Sequence, residues 1–259
     1  MIFDLIDEQV EIIIPEFVSK LKPEILEEFK KKYDSNEMLE QLKNVSENQH
    51  YQKKVETIGI WMSGGADSSL LAYILAKKIK DDNLNIKIQP LSVRRGRGWN
   101  PIYAGNVIDF IEQDLNIKMK NHIVYYPPMD DEHYREIEVF REKDNENFLS
   151  DLFQILYSGI TCNPPSDDPT ISKNKERTRD EESDRPLITH NGIRYYMNPF
   201  FGINKKKLKM IYDQLKLTDT LFSITRSCEG SDYETGNYTY HCKKCWWCEE
   251  RYWAFGKYV

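Results

Sequence analysis

The apolar pattern divides the chain into stretches with different periods. Up to about residue 54 it is charged, broken at Pro15 and Pro23, and EILEEFKKKY has helix-like apolar spacing. This predicts an N-terminal helical extension over residues 1–54. Thr57 to Met62 is a short, continuous, β-prone run that suits a buried strand. Leu70 to Lys80 is a strong helix former. IKIQPLSV, ending at Val93, alternates loosely and predicts a second strand. Ala104, Val107, Ile108, Ile111 and Leu115 recur at helical spacing, and NHIVYY, from Asn121, predicts a third strand. Phe148, Leu149, Leu152, Phe153, Ile155 and Leu156 predict another helix. Strands alternating with helices build a parallel sheet covered on both faces. The expected fold class is therefore α/β, a doubly wound and mostly parallel sheet spanning residues 55–225.

One stretch has no period. From Pro164 to Arg185 the chain reads PPSDDPTISKNKERTRDEESDR, with almost nothing to bury. We read this insertion, residues 164–185, as a solvated surface loop in preference to a substrate lid.

Composition narrows the classes. A chain of 259 residues with 40% hydrophobic and 12% aromatic residues is globular and holds one large domain with additions. A net charge of −6 does not indicate a nucleic-acid partner. No apolar stretch approaches the ~18 residues of a membrane span. The N-terminus carries acids where a signal peptide carries bases, so a cytoplasmic location is expected. The five cysteines are then thiols or metal ligands rather than disulfides.

Candidate chemistry lies first in WMSGGADSS, residues 61–69. A strand, a tight turn and a helix start bring several backbone N–H groups and the helix dipole to one spot, an anion site. Gly64 and Gly65 let the backbone approach a large anion, and Ser63, Ser68 and Ser69 add hydroxyls. Ala66 completes the turn. Asp67 opposes an anion unless it caps the helix or helps hold Mg²⁺. The string is neither a Walker loop nor a Gly-x-Gly-x-x-Gly turn. Arg94, Arg95 and Arg97 follow a strand end, where open sheets bind ligands; an anion-binding role and a solvated basic turn are equally supported.

The second concentration of chemistry is at the C-terminus. Cys228, Cys242, Cys245 and Cys248, with two x-x gaps, are spaced to wrap one tetrahedral ion. Zn²⁺ is the usual occupant, and an iron–sulfur cluster is the alternative. Residues 226–259 are thus expected to form a zinc knuckle.

The SGGADS string resembles the SGGxDS signature of the PP-loop ATP pyrophosphatases, and the cysteine tail narrows the resemblance to 7-cyano-7-deazaguanine synthases of the queuosine pathway. NPFFGINK, Asn198–Lys205, is similar to that family's Thr-Pro-Leu-x-x-x-x-Lys segment. NENFLS places Asn145 where the family has its Arg-Asn-x-x-Phe-Leu-Ser asparagine, and GITCN brings Asn163 near its Gly-x-Asn. Arg251 and Phe255 match the residues after the cysteines. SVRRGRGWN departs from the family's Asp-Tyr-Gly-Gln-Arg-His. The resemblance spans roughly residues 56–256 and is specific at the glycine turn and the cysteines.

The resemblance implies an ATP-dependent ligase with Mg²⁺ and Zn²⁺. Ser63 to Ser69 bind ATP; Ser63, Asp67 and Lys205 are catalytic. Arg94, Arg95, Arg97, Asn145 and Asn163 are the candidates for contacting a small carboxylate substrate. That carboxylate is adenylated with loss of pyrophosphate, and ammonia, free or from a partner, forms an amide or nitrile. A homodimer or a partner protein is compatible with this reading. The competing classes are an ATP-dependent tRNA thiolation enzyme and a nucleotide-binding zinc-knuckle module of a nucleic-acid modification or defence system.

Overall fold

The computed structural model describes residues 1–19, 52–94, 99–126, 143, 147, 150–165, 167–171, 187–190 and 193–259. Its centre is a sheet in the order β7-β6-β5-β8-β10-β9. The strands are β5 (Thr57–Trp61), β6 (Lys87–Val93), β7 (Ile123–Tyr125), β8 (Ile155–Tyr157), β9 (Leu187–His190) and β10 (Ile193–Met197). All neighbours are parallel except β9, which runs antiparallel to β10 at the edge. The chain winds outward from β5 through β6 to β7, then restarts on the other side of β5 at β8. That reversal is a topological switch point, and open sheets bind ligands beyond the carboxyl ends of strands there.

Every residue of β5 is buried, as its unbroken apolar run predicts. α1 (Ala66–Asp81) follows it, and ten residues between Ala66 and Ala76 are buried, so its first turn lies inside the protein. α2 (Asn100–Leu115) buries the five residues whose spacing predicted it. α3 (Lys205–Gln214) starts at Asn204, whose side chain accepts from the N–H groups of Lys206 and Lys207 at 3.0 and 3.2 Å. α4 (Trp246–Phe255) closes the fold, with Cys245 as its N-cap. Ile58, Ile60, Ile155 and Tyr157 form one core with residues of α1, α2, α3 and the end of α4. The opposite face gathers Trp61, Leu91, Val93, Phe153 and Leu156.

Two expectations are corrected. The N-terminal extension is not helical over its described part. β1 (Ile2–Leu5) pairs antiparallel with β2 (Glu8–Glu11), and β3 (Phe17–Ser19) with β4 (Gln52–Lys54). Phe3 and Leu5, then Val10 and Ile12, alternate with exposed or half-buried neighbours and enter the main core, a period of two. Residues 20–51 lie outside the described residues. The helix expected to end at Leu156 is also wrong at its end: Ile155–Tyr157 is the fully buried strand β8. A short apolar run reads alike as buried strand or buried helix, and here parallel pairing on both sides decides.

Candidate functional site

The site forms where β5 gives way to α1. Gly64 has φ +72°, a left-handed conformation, and an added Cβ would stand 2.6 Å from Tyr103 Cβ and 2.8 Å from the Ala104 nitrogen. Only glycine fits against α2 there. Ser68 braces the turn: its Oγ accepts from Ser63 N–H at 3.1 Å and lies 3.1 Å from Ser63 Oγ. Gly65 N–H donates to Ser63 Oγ at 3.2 Å. Gly65 is the N-cap and supplies no side-chain cap, so the first N–H groups of α1 have no capping side chain. Ser69 is fully buried, and its hydroxyl has no hydrogen-bond partner among the described residues.

Distant segments converge on the start of α1. Lys205 Nζ lies 3.3 Å from Asp67 Oδ2 and 3.0 Å from Glu250 Oε2. Thr161, from the loop after β8, donates to Asp67 Oδ2 at 3.3 Å. Gly159 in the same loop approaches so closely that a Cβ would meet the Asp67 carbonyl carbon and the Ser68 nitrogen at 2.8 Å. Arg226 N–H donates to Gly64 O at 2.7 Å, and Tyr212 O–H donates to Ala66 O at 2.7 Å. Burial pushes the Tyr212 phenol well above its usual pKa, so it donates throughout the physiological range.

Lys205 is therefore held at the start of α1 rather than in solvent. It is only 3% exposed and is held between two carboxylates, with the Trp247 ring 5.9 Å away. A lysine at the first position of a helix also opposes the dipole, and no acid occupies that first turn. Asp67 is the second residue of α1 rather than its cap. Its Oδ1 is buried and meets no donor among the described residues, whereas Oδ2 is occupied by Thr161 and Lys205. One free carboxylate oxygen beside uncapped N–H groups fits a divalent cation accompanying a polyphosphate.

Of the remaining sequence candidates, Arg94 and Asn163 lie within the described residues. Arg94 is half-buried at the end of β6, where its N–H donates to Tyr125 O at 2.9 Å. Asn163 is half-buried two residues beyond Thr161. Arg95, Arg97 and Asn145 lie outside the described residues, as does most of the insertion. Its described start is no loose loop: Asp168 accepts from Trp253 Nε1 at 2.8 Å and pairs with Lys206, and Ile171 is buried. The sequence reading missed Thr161, Arg226 and Glu250.

Cys228, Cys242, Cys245 and Cys248 come together with all four Sγ atoms within 4.8 Å of one another. Cys242 and Cys248 are 3.9 Å apart. Four thiolates at ~2.3 Å around one tetrahedral Zn²⁺ stand about 3.8 Å from each other. The set fits a single ion; a cubane, binding each thiolate to a different iron, needs a wider ring. Backbone N–H groups of Gly230 and Cys242 donate to Cys228 Sγ, and that of Cys245 donates to Cys242 Sγ, the support that metal-bound sulfur takes. Hydrogen bonds from Cys245 and Cys248 hold the Cys228 thiol far below its usual pKa, while sharing with Cys228 pushes Cys245 up to about 11. His241 Nδ1 lies 3.7 Å from Cys248 Sγ, outside the quartet, and burial lowers its pKa. Arg251 seals the base: its guanidinium donates to the carbonyls of Tyr258, Phe222 and Thr225.

Ser92 and His122, 2.7 Å apart, have the spacing of a nucleophile and base. Ser92 Oγ already donates to Met62 O at 2.5 Å, so His122 completes a brace beneath the turn rather than activating the hydroxyl.

No protein-family model matches the chain, and no curated protein matches it. Among solved structures it is similar to U34-tRNA thiolase NcsA from Methanococcus maripaludis with its 4Fe–4S cluster, at 14% identity over 78% of this chain and 70% of that one, TM-score 0.41. It is similar to a protein described as a predicted subunit of tRNA methyltransferase from Methanocaldococcus jannaschii, at 18% identity over 61% and 75%, TM-score 0.33. It is also similar to NAD+ synthetase from Burkholderia pseudomallei, at 11% identity over 76% and 74%, TM-score 0.35. Likenesses this distant leave the geometry of the site to carry the functional argument. Among the described residues, no helix is long and apolar enough to cross a membrane.

Proposed function

We propose that the chain is an ATP pyrophosphatase that adenylates a substrate carboxylate. One observation carries the reading: Lys205, remote in sequence, meets Asp67 at 3.3 Å beside an uncapped glycine turn at a helix N-terminus. In this reading the N–H groups of the turn and Ser63 bind the β- and γ-phosphates of ATP. Asp67 would hold Mg²⁺ through Oδ1, and the ion when bound would supply the charge that neutralises the phosphates and improves pyrophosphate as a leaving group. Lys205 supplies positive charge to the α-phosphate as the substrate carboxylate attacks, with pyrophosphate leaving. Ammonia then displaces AMP to give an amide; a second ATP adenylates the amide oxygen with loss of pyrophosphate, and departure of AMP with two N–H protons leaves a nitrile, as in a 7-cyano-7-deazaguanine synthase. The four cysteines hold a structural Zn²⁺, since a closed shell leaves no position for a reacting water. ATP-dependent tRNA thiolation is the alternative reading of the same cradle, and the test separates the two. The test is mass spectrometry of products from protein, ATP, Mg²⁺, ammonium and 7-carboxy-7-deazaguanine. AMP, pyrophosphate and the amide or nitrile are expected. ADP with phosphate refutes pyrophosphatase chemistry; AMP formation only with tRNA, with a thiolated product, overturns the substrate.

A further inference from the structure

We propose that Glu250 is a positioning residue that anchors Lys205 in the cradle beside Asp67, and so ties the charge of the cradle to the cysteine knuckle. Glu250 is fully buried, and its Oε2 is 3.0 Å from Lys205 Nζ, closer than Asp67 at 3.3 Å. It lies on α4 two residues beyond Cys248, just past the first turn that follows the N-cap Cys245. Burying a carboxylate is costly, and an apolar residue of similar size packs such a position at less cost. The cost has a local return. Two carboxylates share one ammonium, and Asp67 stays available to a cation through Oδ1. With Glu250 neutral, Lys205 loses its nearer partner and swings toward solvent. α4 is also the element that two of the four thiols anchor, so closing the knuckle fixes where Glu250 stands. The same segment reaches the turn a second way, through Arg226 N–H on Gly64 O, two residues before Cys228.

The geometric part of this inference stands without the ATP reading; only its kinetic part rests on that reading. The first experiment labels surface amines with a small acylating reagent and reads each lysine by peptide mass spectrometry, comparing native protein with Glu250→Gln. Labelling of Lys205 should rise at least fivefold, with Lys206 and Lys207 unchanged and metal content retained. Unchanged Lys205 labelling overturns the clamp. If the Gln variant does not fold, Glu250→Asp, which keeps the charge and shortens the arm, is read the same way. The second experiment is a double-mutant cycle on turnover with Lys205→Met. Glu250→Gln should lower kcat at least tenfold with KM for ATP within threefold, and should cause no further loss in the Lys205→Met background. An equal loss in both backgrounds makes Glu250 merely structural. If native protein releases no pyrophosphate, the ATP reading fails and the labelling result alone decides the clamp.

Discussion

Replacing Gly64 with alanine tests the turn directly. The backbone there sits at φ +72°, which costs a non-glycine residue roughly 1–2 kcal/mol. The new methyl would also lie 2.6 Å from Tyr103 Cβ, 2.8 Å from Ala104 N and 2.9 Å from Asn100 O. Two of these three neighbours are backbone atoms of α2, which cannot swing aside, and overpacking of this kind costs about 1–3 kcal/mol. A total near 3 kcal/mol lowers Tm by roughly 6–12 °C in a domain of this size. Gly65→Ala is the matched control. Its backbone is ordinary, φ −82°, and the methyl would meet the hydroxyls of Ser63 and Ser227 at 3.2 Å and the Arg226 carbonyl oxygen at an ordinary contact of 3.7 Å. Its Tm should fall by less than about 4 °C, while affinity for an α,β-methylene ATP analogue drops because the methyl crowds Ser63. Differential scanning calorimetry and titration calorimetry on both variants give the answer. A Gly64→Ala protein melting within about 2 °C of the parent refutes the wedge against α2.

Cys245→Ser should abolish stoichiometric metal binding and lower Tm, with elemental analysis of native protein giving about one zinc per chain; iron with sulfide in its place refutes the single-ion geometry. Asp67→Asn should eliminate pyrophosphate release while Tm falls by no more than a few degrees, read by a coupled pyrophosphate assay. Arg251→Met should cost about 3 kcal/mol in urea unfolding, since buried carbonyls lose their donor at ~1–3 kcal/mol each; a loss below about 1 kcal/mol shows that those carbonyls find other partners. Hydrogen bonds from the hydroxyl and N–H of Thr170, then from the Trp253 indole, hold the Asp168 carboxyl well below the usual range. Its docking contribution is therefore complete above the ordinary carboxylate pKa of about 4 and is lost as pH falls below that value. Trp253 fluorescence should change only in acid, and a transition centred between pH 6 and 7 refutes this.

The segment from β5 to β7 was legible because its apolar residues repeat at unmistakable periods and its helices are long. Ile155–Tyr157 was not, since three buried residues have no period until the neighbouring strands are known. In the N-terminus, further apolar residues at Ile2, Ile6, Ile13 and Ile14 interrupt the pattern and mask the alternation of Phe3, Leu5, Val10 and Ile12. The glycine turn and the cysteine quartet could be read locally, because their chemistry is set by spacing. Lys205 was found through NPFFGINK, but its confinement was invisible, since both its partners are remote in sequence. Glu250 gave a faint signal, an acid in an aromatic-rich helix between a cysteine and an arginine. Nothing marked Thr161 or Arg226, whose roles arise where separate loops meet.

The braces on the turn also set an order of assembly. Ala66 and Tyr212 are 146 positions apart, and Arg226 and Glu250 lie farther still along the chain. During synthesis the strand, the glycines and α1 emerge first, and the sheet can begin to form around them. The carbonyls of Gly64 and Ala66, and the carboxylate of Asp67, wait for partners made near the end. Closing so long a separation is slow compared with local pairing. Nascent chains that stop short of residue 226 can carry the sheet yet lack the contact that pins Gly64. Pulse-labelled hydrogen exchange on refolding protein should accordingly protect β5 and β6 before the first turn of α1.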